Sequence, residues 1–191
     1  MNVYDFDHTI YDGDSSLDFV CFCVKRHWLL CFLLPFQFAV GIGIKLKIIS
    51  TKRGKELFFF FLLFYPAEPT AITAFWQIHK QKITSWYLEC QQPDDLIISA
   101  SPEFLLKFLV EGKLNKKVIA TKVDPYSGKI YGNNCKGQEK ISMFQKYNSN
   151  RNIENFYSDS LSDAPLAKLA DHAFLISHLG GHVRIRPWPS R

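Results

Sequence analysis

Asp5 and Asp7 stand two apart just after the short apolar run Val3-Tyr4, so both carboxylates fall within the first nine residues. Extended backbone puts alternate side chains on one face, and a loop just past a strand end can aim two such groups into one small volume. Like charges at that range raise one another's proton affinity. A bound divalent ion keeps both ionised and presents its own charge to a phosphate. An isolated D-x-D is usually an exposed loop, so the pair gains chemical meaning only from partners elsewhere in the chain.

Three later segments supply partners. Leu96-Ile97-Ile98-Ser99 is an apolar run ending in a hydroxyl, and Ser101-Pro102-Glu103 has the N-cap, first-turn proline and first-turn acid of a helix start. A helix start beside a strand end is an anion site. Cys135-Lys136-Gly137-Gln138-Glu139-Lys140 leads into the helical spacing Ile141, Phe144, Tyr147, which places a lysine at or near a second helix start. Ile153 to Tyr157 reads as a strand running into Ser158-Asp159-Ser160-Leu161-Ser162-Asp163, a second pair of acids after a strand.

In that order, DFDHT, IISAS, CKGQEK and YSDSLSD resemble the four motifs of the haloacid dehalogenase (HAD) superfamily. The branch they resemble contains phosphoserine phosphatase and the bacterial phosphatidylglycerophosphate phosphatase of C type. The resemblance implies Mg²⁺-dependent hydrolysis of a phosphomonoester through an aspartyl phosphate. Asp5 is then the nucleophile and Asp7 the acid and base, with its backbone carbonyl on the metal. Asp159 completes the metal site with Asp5, and Asp163 ligates through water or holds the surrounding shell. Ser99 and backbone N–H groups near Asp7 and Ala100 bind phosphoryl oxygens, while Ser101 caps its helix. Lys140 neutralises charge, with Lys136 as its rival. His8 stands where many members carry glycine, which bears on the loop's shape and leaves the carboxylates untouched.

Alternating strands and helices with acids at strand ends give an α/β fold, a doubly wound parallel sheet whose site lies at its carboxyl edge. At 191 residues the chain can bury one such core and carry one insertion. Residues 1–11 and 91–191 are assigned to the HAD-like, Rossmann-like catalytic core, and residues 12–90 to a helical, strongly apolar cap inserted after the first strand. Asp14 or Ser15 caps a helix starting near Leu17. Ile72, Phe75, Trp76, Ile83, Trp86 and Tyr87 recur at helical spacing and predict one helix returning to the core. A hairpin is expected around Asp124-Pro125-Tyr126-Ser127-Gly128, and Ala173 to Ser177 is read as the last core strand. Gly112 is read as a helix stop. His178 and His182 are read as exposed around a Gly180-Gly181 turn, followed by a basic tail of Arg184, Arg186 and Arg191.

The formal charge of +5, without an arginine-rich stripe, gives no case for nucleic acid. Five cysteines with no C-x-x-C pair give neither a disulfide framework nor a zinc ribbon, which fits a reducing compartment, and Cys21 and Cys23 are read as inert and buried. A chain that opens inside a catalytic strand leaves no room for a cleavable signal. The expected location is therefore cytoplasmic, peripheral at the inner face of the cell membrane. Phe19 to Ile44 is almost wholly apolar, Lys45, Lys47, Lys52, Arg53 and Lys55 follow, and then Leu57 to Tyr65 is apolar again. As an α-helix Trp28 to Ile44 would reach about 25 Å, short of the ~30 Å hydrocarbon core.

This cap favours a lipid phosphate, such as phosphatidylglycerophosphate, over a small soluble metabolite, whose closed pocket would need charged cap residues. A membrane-bound scaffold without turnover is the third reading. The apolar surface is expected to meet an anionic membrane, with packing on itself or on a second subunit as the alternative. The sequence sets no oligomeric state.

Overall fold

The computed structural model of the chain describes residues 1–109, 117–148, 152–179 and 182–189. The expected helix stop at Gly112, the Gly180-Gly181 turn and Arg191 lie outside them. Strand β1 (Asn2–Tyr4) is only three residues long and wholly buried, and it forms the middle of a six-stranded sheet. Its neighbours are β2 (Leu96–Pro102) and β4 (Ile153–Ser158), and the full order is β3-β2-β1-β4-β5-β6. β3 spans Lys117–Thr121, β5 Ala170–Leu179 and β6 His182–Pro187. Tyr4 pairs in parallel with Ile97 on one side and Tyr157 on the other. Strands buried on both faces must be apolar throughout, and Leu96, Ile97 and Ile98 are indeed fully buried.

The two faces divide by the strand period. Val3, Leu96 and Ile98 pack with Phe144, Phe156 and Leu166 on one side, whereas Tyr4 and Ile97 pack with Phe19, Phe75 and Tyr87 on the other. Each such side chain contributes about 1.5–3 kcal/mol on burial. The second face is covered largely by the cap, which enters between β1 and β2. α1 (Ser15–Arg26) opens with Asp14 as its N-cap, accepting from the Ser16 and Leu17 N–H groups. A 3-10 turn (Trp28–Leu33) leads into α2 (Leu34–Lys45), and α3 (Thr51–Phe58) returns beside it before a second 3-10 turn, Phe59–Leu63. α2 and α3 approach so closely that a Cβ on Gly54 would lie 2.3 Å from Ile44 Cγ1.

The helix predicted through Ile72 to Tyr87 is broken in two, α4 (Pro69–His79) and α5 (Ser85–Cys90). The break has a clear cause. Asp12 N–H donates to the Lys82 carbonyl and Thr84 N–H to the Ile10 carbonyl, both at 2.8 Å, which pulls Ile83 into a bridge with Tyr11. The cap is also tied to the hairpin after β3, where Val123 and Ile130 form the expected bridge. Ala67 N–H donates to the Pro125 carbonyl at 2.8 Å, and Glu56 accepts from Ile130 N–H at 3.1 Å.

After β2 the helix α6 (Glu103–Leu109) begins one residue later than predicted, because β2 stays paired with β3 through Pro102. α7 (Gln138–Asn148) and α8 (Ala164–Ala167) cover the other face. The supposed basic tail is instead β6, antiparallel to β5 with Leu175 opposite Arg186. His178 is correspondingly not exposed: its Nδ1 lies 3.2 Å from Asp12 Oδ1. Of the two apolar-run cysteines Cys23 is buried, but Cys21 is exposed.

Candidate active site

β1 delivers Asp5 one residue beyond its last paired position, and Asp5 N–H is still held by the Tyr157 carbonyl at 2.8 Å. The chain then turns sharply. Thr9, Ile10 and Tyr11 N–H all donate to the Phe6 carbonyl, and His8 adopts φ +54°. That left-handed geometry favours glycine, so the histidine keeps the loop shape that the glycine of related motifs would give more easily. Phe6 N–H donates to Asp5 Oδ1 at 2.7 Å and fixes the carboxylate rotamer.

Lys140 enters from the first turn of α7 and is 1% exposed. Its ammonium lies 2.8 Å from Asp5 Oδ2 and 2.6 Å from Asp163 Oδ2. Ser158, at the end of β4, donates to Asp163 at 2.9 Å and reaches Asp5 at 3.5 Å. Burial pushes the Asp5 carboxyl well above the ordinary carboxylate range, and Asp163 adds to this against the pull of Lys140. Burial alone would lower Lys140, but Asp5 and Asp163 outweigh it and hold the ammonium above the usual lysine value. Lys136, the rival candidate, is exposed and lines the pocket beside Asn134.

Asp7 is gripped from two sides. Ser15 N–H at the start of α1 donates to Oδ1 at 2.9 Å, and the Ser101 hydroxyl donates to Oδ2. Burial raises this carboxyl too, with Asp14 acting in the same direction. Ser101 is therefore a partner of Asp7 and not the helix cap expected. Ser99 lies beneath it, buried, its Oγ accepting the Ser101 N–H at 3.1 Å. Ala100 lines the pocket, and its carbonyl accepts from Lys55 Nζ at 2.5 Å.

Asp159 comes directly after β4, and its N–H donates to Thr9 Oγ1 at 3.1 Å, tying the fourth motif to the first. Burial raises its carboxyl, partly offset by His8. Asp5 and Asp159 thus follow the ends of neighbouring strands, and the resemblance would add the Asp7 main-chain carbonyl; all three are oxygen donors, the kind a hard divalent cation such as Mg²⁺ takes. Asp163 shares Lys140 and Ser158 with Asp5, whereas the Asp7 carboxylate faces Ser15 and Ser101. Among the described residues no three His, Cys, Asp or Glu side chains gather as a metal-binding group.

Asp7 and Ser101 open onto a pocket of about 300 Å³ between core and cap. Asp7, Asp14, Ser101, Lys55, Asn134 and Lys136 give it a polar floor and flank, and Leu17, Val40, Ile44 and Phe59 give it an apolar wall. Sequence reasoning passed over Lys55. It donates to Asn134 Oδ1 at 2.9 Å as well as to Ala100, and burial lowers its ammonium to about 8 despite the nearby Asp7. The available signal was periodicity: Thr51 and Lys55 stand one helical turn apart on α3 and both line the pocket. Ser158 was likewise passed over, although it directly precedes Asp159.

A model of the haloacid dehalogenase-like hydrolases matches residues 3–168. No curated protein matches the sequence. The fold is similar to that of a protein of unknown function from Bordetella pertussis Tohama I, at TM-score 0.72 and 16% identity, over 91% of this chain and 87% of that one. It is also similar to a phosphoserine phosphohydrolase-like protein from Francisella tularensis, at TM-score 0.57 and 16% identity, over 91% and 86% of the two chains. A third similar structure is a phospho-aspartyl intermediate analogue of phosphoserine phosphatase, at TM-score 0.55 and 14% identity, over 90% and 83%. At such identities these likenesses speak for the fold; the motif pattern running through the matched 3–168 speaks for descent, and the chain belongs to the haloacid dehalogenase-like hydrolases.

Proposed function

We propose that this HAD-family phosphatase hydrolyses a lipid phosphomonoester, of which phosphatidylglycerophosphate is the favoured example. The pocket's two-part lining carries the reading. Asp7, Asp14, Lys55 and Lys136 meet its polar side, while Leu17, Val40, Ile44 and Phe59 form a wall that a small polar alcohol would leave unsatisfied. A phosphatidylglycerophosphate headgroup has a phosphodiester beyond the phosphate to be removed, a second anion for Lys55 and Lys136.

In the proposed reaction an Asp5 carboxylate oxygen attacks phosphorus. The P–O bond to the alcohol breaks as the bond to Asp5 forms, and Asp7 gives its proton to the departing oxygen. Asp7 then takes a proton from the attacking water, whose oxygen displaces the Asp5 carboxylate and releases inorganic phosphate. Asp7 suits both tasks because burial raises its proton affinity while the Ser15 N–H and Ser101 hydroxyl fix its direction. Lys140 holds Asp5 in line and offsets phosphoryl charge. When bound by Asp5, Asp159 and the Asp7 carbonyl, Mg²⁺ would supply further charge neutralisation.

A second reading, a small metabolite with its own second anion as in phosphoserine, draws on the same Lys55 and Lys136. Hydrolysis of short-chain phosphatidylglycerophosphate, short-chain phosphatidic acid and phosphoserine should be compared with Mg²⁺ present. Lipid phosphates are expected to turn over fastest, and phosphoserine leading would overturn the lipid reading. Full activity after exhaustive chelation would overturn the Mg²⁺ assignment.

A further inference from the structure

Between Asp18 and Glu56 the sequence has no acidic residue, yet Lys25, Arg26, Lys45, Lys47, Lys52, Arg53 and Lys55 all fall there. The same interval leaves large apolar side chains in water: Trp28 is 68% exposed, Phe32 70%, Phe38 73% and Ile48 76%. Trp28, Leu29, Phe32 and Phe64 line one apolar groove of about 420 Å³ together with Arg26 and His27. The Phe60 ring extends this surface, 5.6 Å from that of Phe64. α2 connects the surface to the active site. Val40 and Ile44 line the pocket, while Phe38 and Ile42, on the other side of the same helix, are exposed.

We propose that the cap docks on an anionic bilayer through this apolar face and its basic border, without crossing the bilayer. The inference deepens the lipid-phosphate reading and rests on it, since docking would bring the pocket to where such substrates lie. Aromatic side chains prefer the membrane interface, and lysines and arginines beside them meet anionic headgroups. A second copy of the chain would have to accept the same concentration of positive charge, which favours lipid as the occupant.

Crossing is the competing arrangement. Trp28–Lys45 runs 18 residues at mean hydropathy 1.7, enough by length and composition to span a membrane, and only 22% of it is buried, unlike a core helix. With its first six residues in the tighter 3-10 form, the stretch reaches about 30 Å, longer than a pure α-helix would. Length therefore leaves a span open; the flanks close it. On one side Phe19, Phe22 and Cys23 of α1 sit in the core, and on the other Lys55 of α3 is bonded to the Ala100 carbonyl. Both ends are held on the same catalytic core, α1 in the cluster on one sheet face and α3 at β2, so the segment leaves and returns on one side and lies along a surface.

The whole protein should be floated with vesicles of phosphatidylcholine alone and of phosphatidylcholine with phosphatidylserine. Two variants accompany it, F32S/F38S/I42S and K45Q/K47Q/R53Q, with hydrolysis of a soluble aryl phosphate as the check on folding. The parent is expected to float with the anionic vesicles at low salt. The charge variant should partition on the order of a hundredfold more weakly there, and the apolar variant should stay unbound, both with aryl phosphatase activity unchanged. A parent that stays with the soluble fraction, or variants that float like the parent, would overturn the proposal. So would a parent that light scattering shows to be a dimer and that F32S/F38S/I42S renders monomeric, because the face would then belong to a second copy. Hydrolysis of dispersed short-chain lipid phosphate needs no bilayer. Its success alongside failed flotation overturns docking alone, and its failure alongside flotation overturns the substrate class while upholding docking.

Discussion

The sheet edge and the cap solve opposite problems with the same chain. At the edge, charged groups are packed away from water and each is answered: Lys140 sits between Asp5 and Asp163, and Asp7 between Ser15 and Ser101. In the cap, aromatic and aliphatic groups are left in water and their charged neighbours are nearly all basic. Burying a charge demands a partner at hydrogen-bond range, so the core's geometry is over-determined. An exposed apolar face demands only something apolar, so the cap's outer surface is defined by what it meets. The core therefore carries the reaction, and the cap carries the proposed choice of substrate and of membrane contact.

The sharpest way to break the core side is Asp5→Asn. The amide nearly matches the carboxylate in shape but is a poor nucleophile, so turnover of an aryl phosphate should fall by at least about four orders of magnitude. Circular dichroism and thermal melting should stay close to the parent. Parental turnover in the purified variant would remove Asp5 from the reaction.

Lys140→Met tests whether the charges are answered by that one group. It leaves Asp5 and Asp163 buried together without their cation, and breaking such an arrangement typically costs about 3–5 kcal/mol. Lys136→Met, at an exposed position, should stay within about 0.5 kcal/mol. Urea denaturation of the two variants decides between these lysines as the structural centre, and equal losses would contradict the geometry.

Gly128→Ala probes the seam between the two regions. Gly128 has φ +74°, and a Cβ there would lie 2.4 Å from the Phe59 carbonyl oxygen of the cap. Backbone cannot yield as a side-chain tip can, so a loss of about 1–3 kcal/mol is expected in thermal denaturation. An unchanged melting temperature would mean that the cap stands away from the hairpin in solution.

The same division separates what was legible in the sequence from what was not. Asp5, Asp7, Lys140, Asp159 and Asp163 could be singled out as candidates because strand ends and helix starts are local features and because the four motifs resemble those of a known family; the structure brings Lys140 to Asp5 and Asp163. The sheet could be read because Val3, Leu96 and Phe156 are core strand residues in any context. Lys55 was hidden among neighbouring surface lysines: its one-turn spacing from Thr51 is a weak signal, and the tertiary approach of Ala100 and Asn134 is what sets it apart. Ser101 looked like a cap because Pro102 and Glu103 come next; pairing with β3 outweighed that local preference. The break at Ile83 keeps the apolar spacing of a helix and was set by hydrogen bonds to residues 10 and 12, far away in sequence. Strand β6 did carry a signal, the alternation of Val183 and Ile185 with His182, Arg184 and Arg186, but so many charges read more readily as a tail.

The smallest effect falls on Lys55, where the two regions meet. Burial lowers its ammonium from the ordinary 10.5 to about 8, so the unfolded chain holds this proton more tightly than the folded one. The cost to folding is fully present below pH 8. It is relieved as pH rises from 8 towards 10.5, where the unfolded state still binds the proton and the folded state has released it; the ceiling is about 3 kcal/mol. Binding runs the other way. The group that would hold a second anion of the substrate loses its charge over the same window, so KM for a lipid phosphate carrying that anion should rise several-fold between pH 7 and about 9. Lys55→Met should start from the higher KM and flatten this limb of the profile, and Lys55→Arg should keep the low KM while removing the pH dependence. A parental KM that stays level through pH 9, or a Lys55→Met profile with the same inflection, would place the second anion elsewhere in the pocket. Lys136, with its exposed ammonium on the same wall, would then be the group to change.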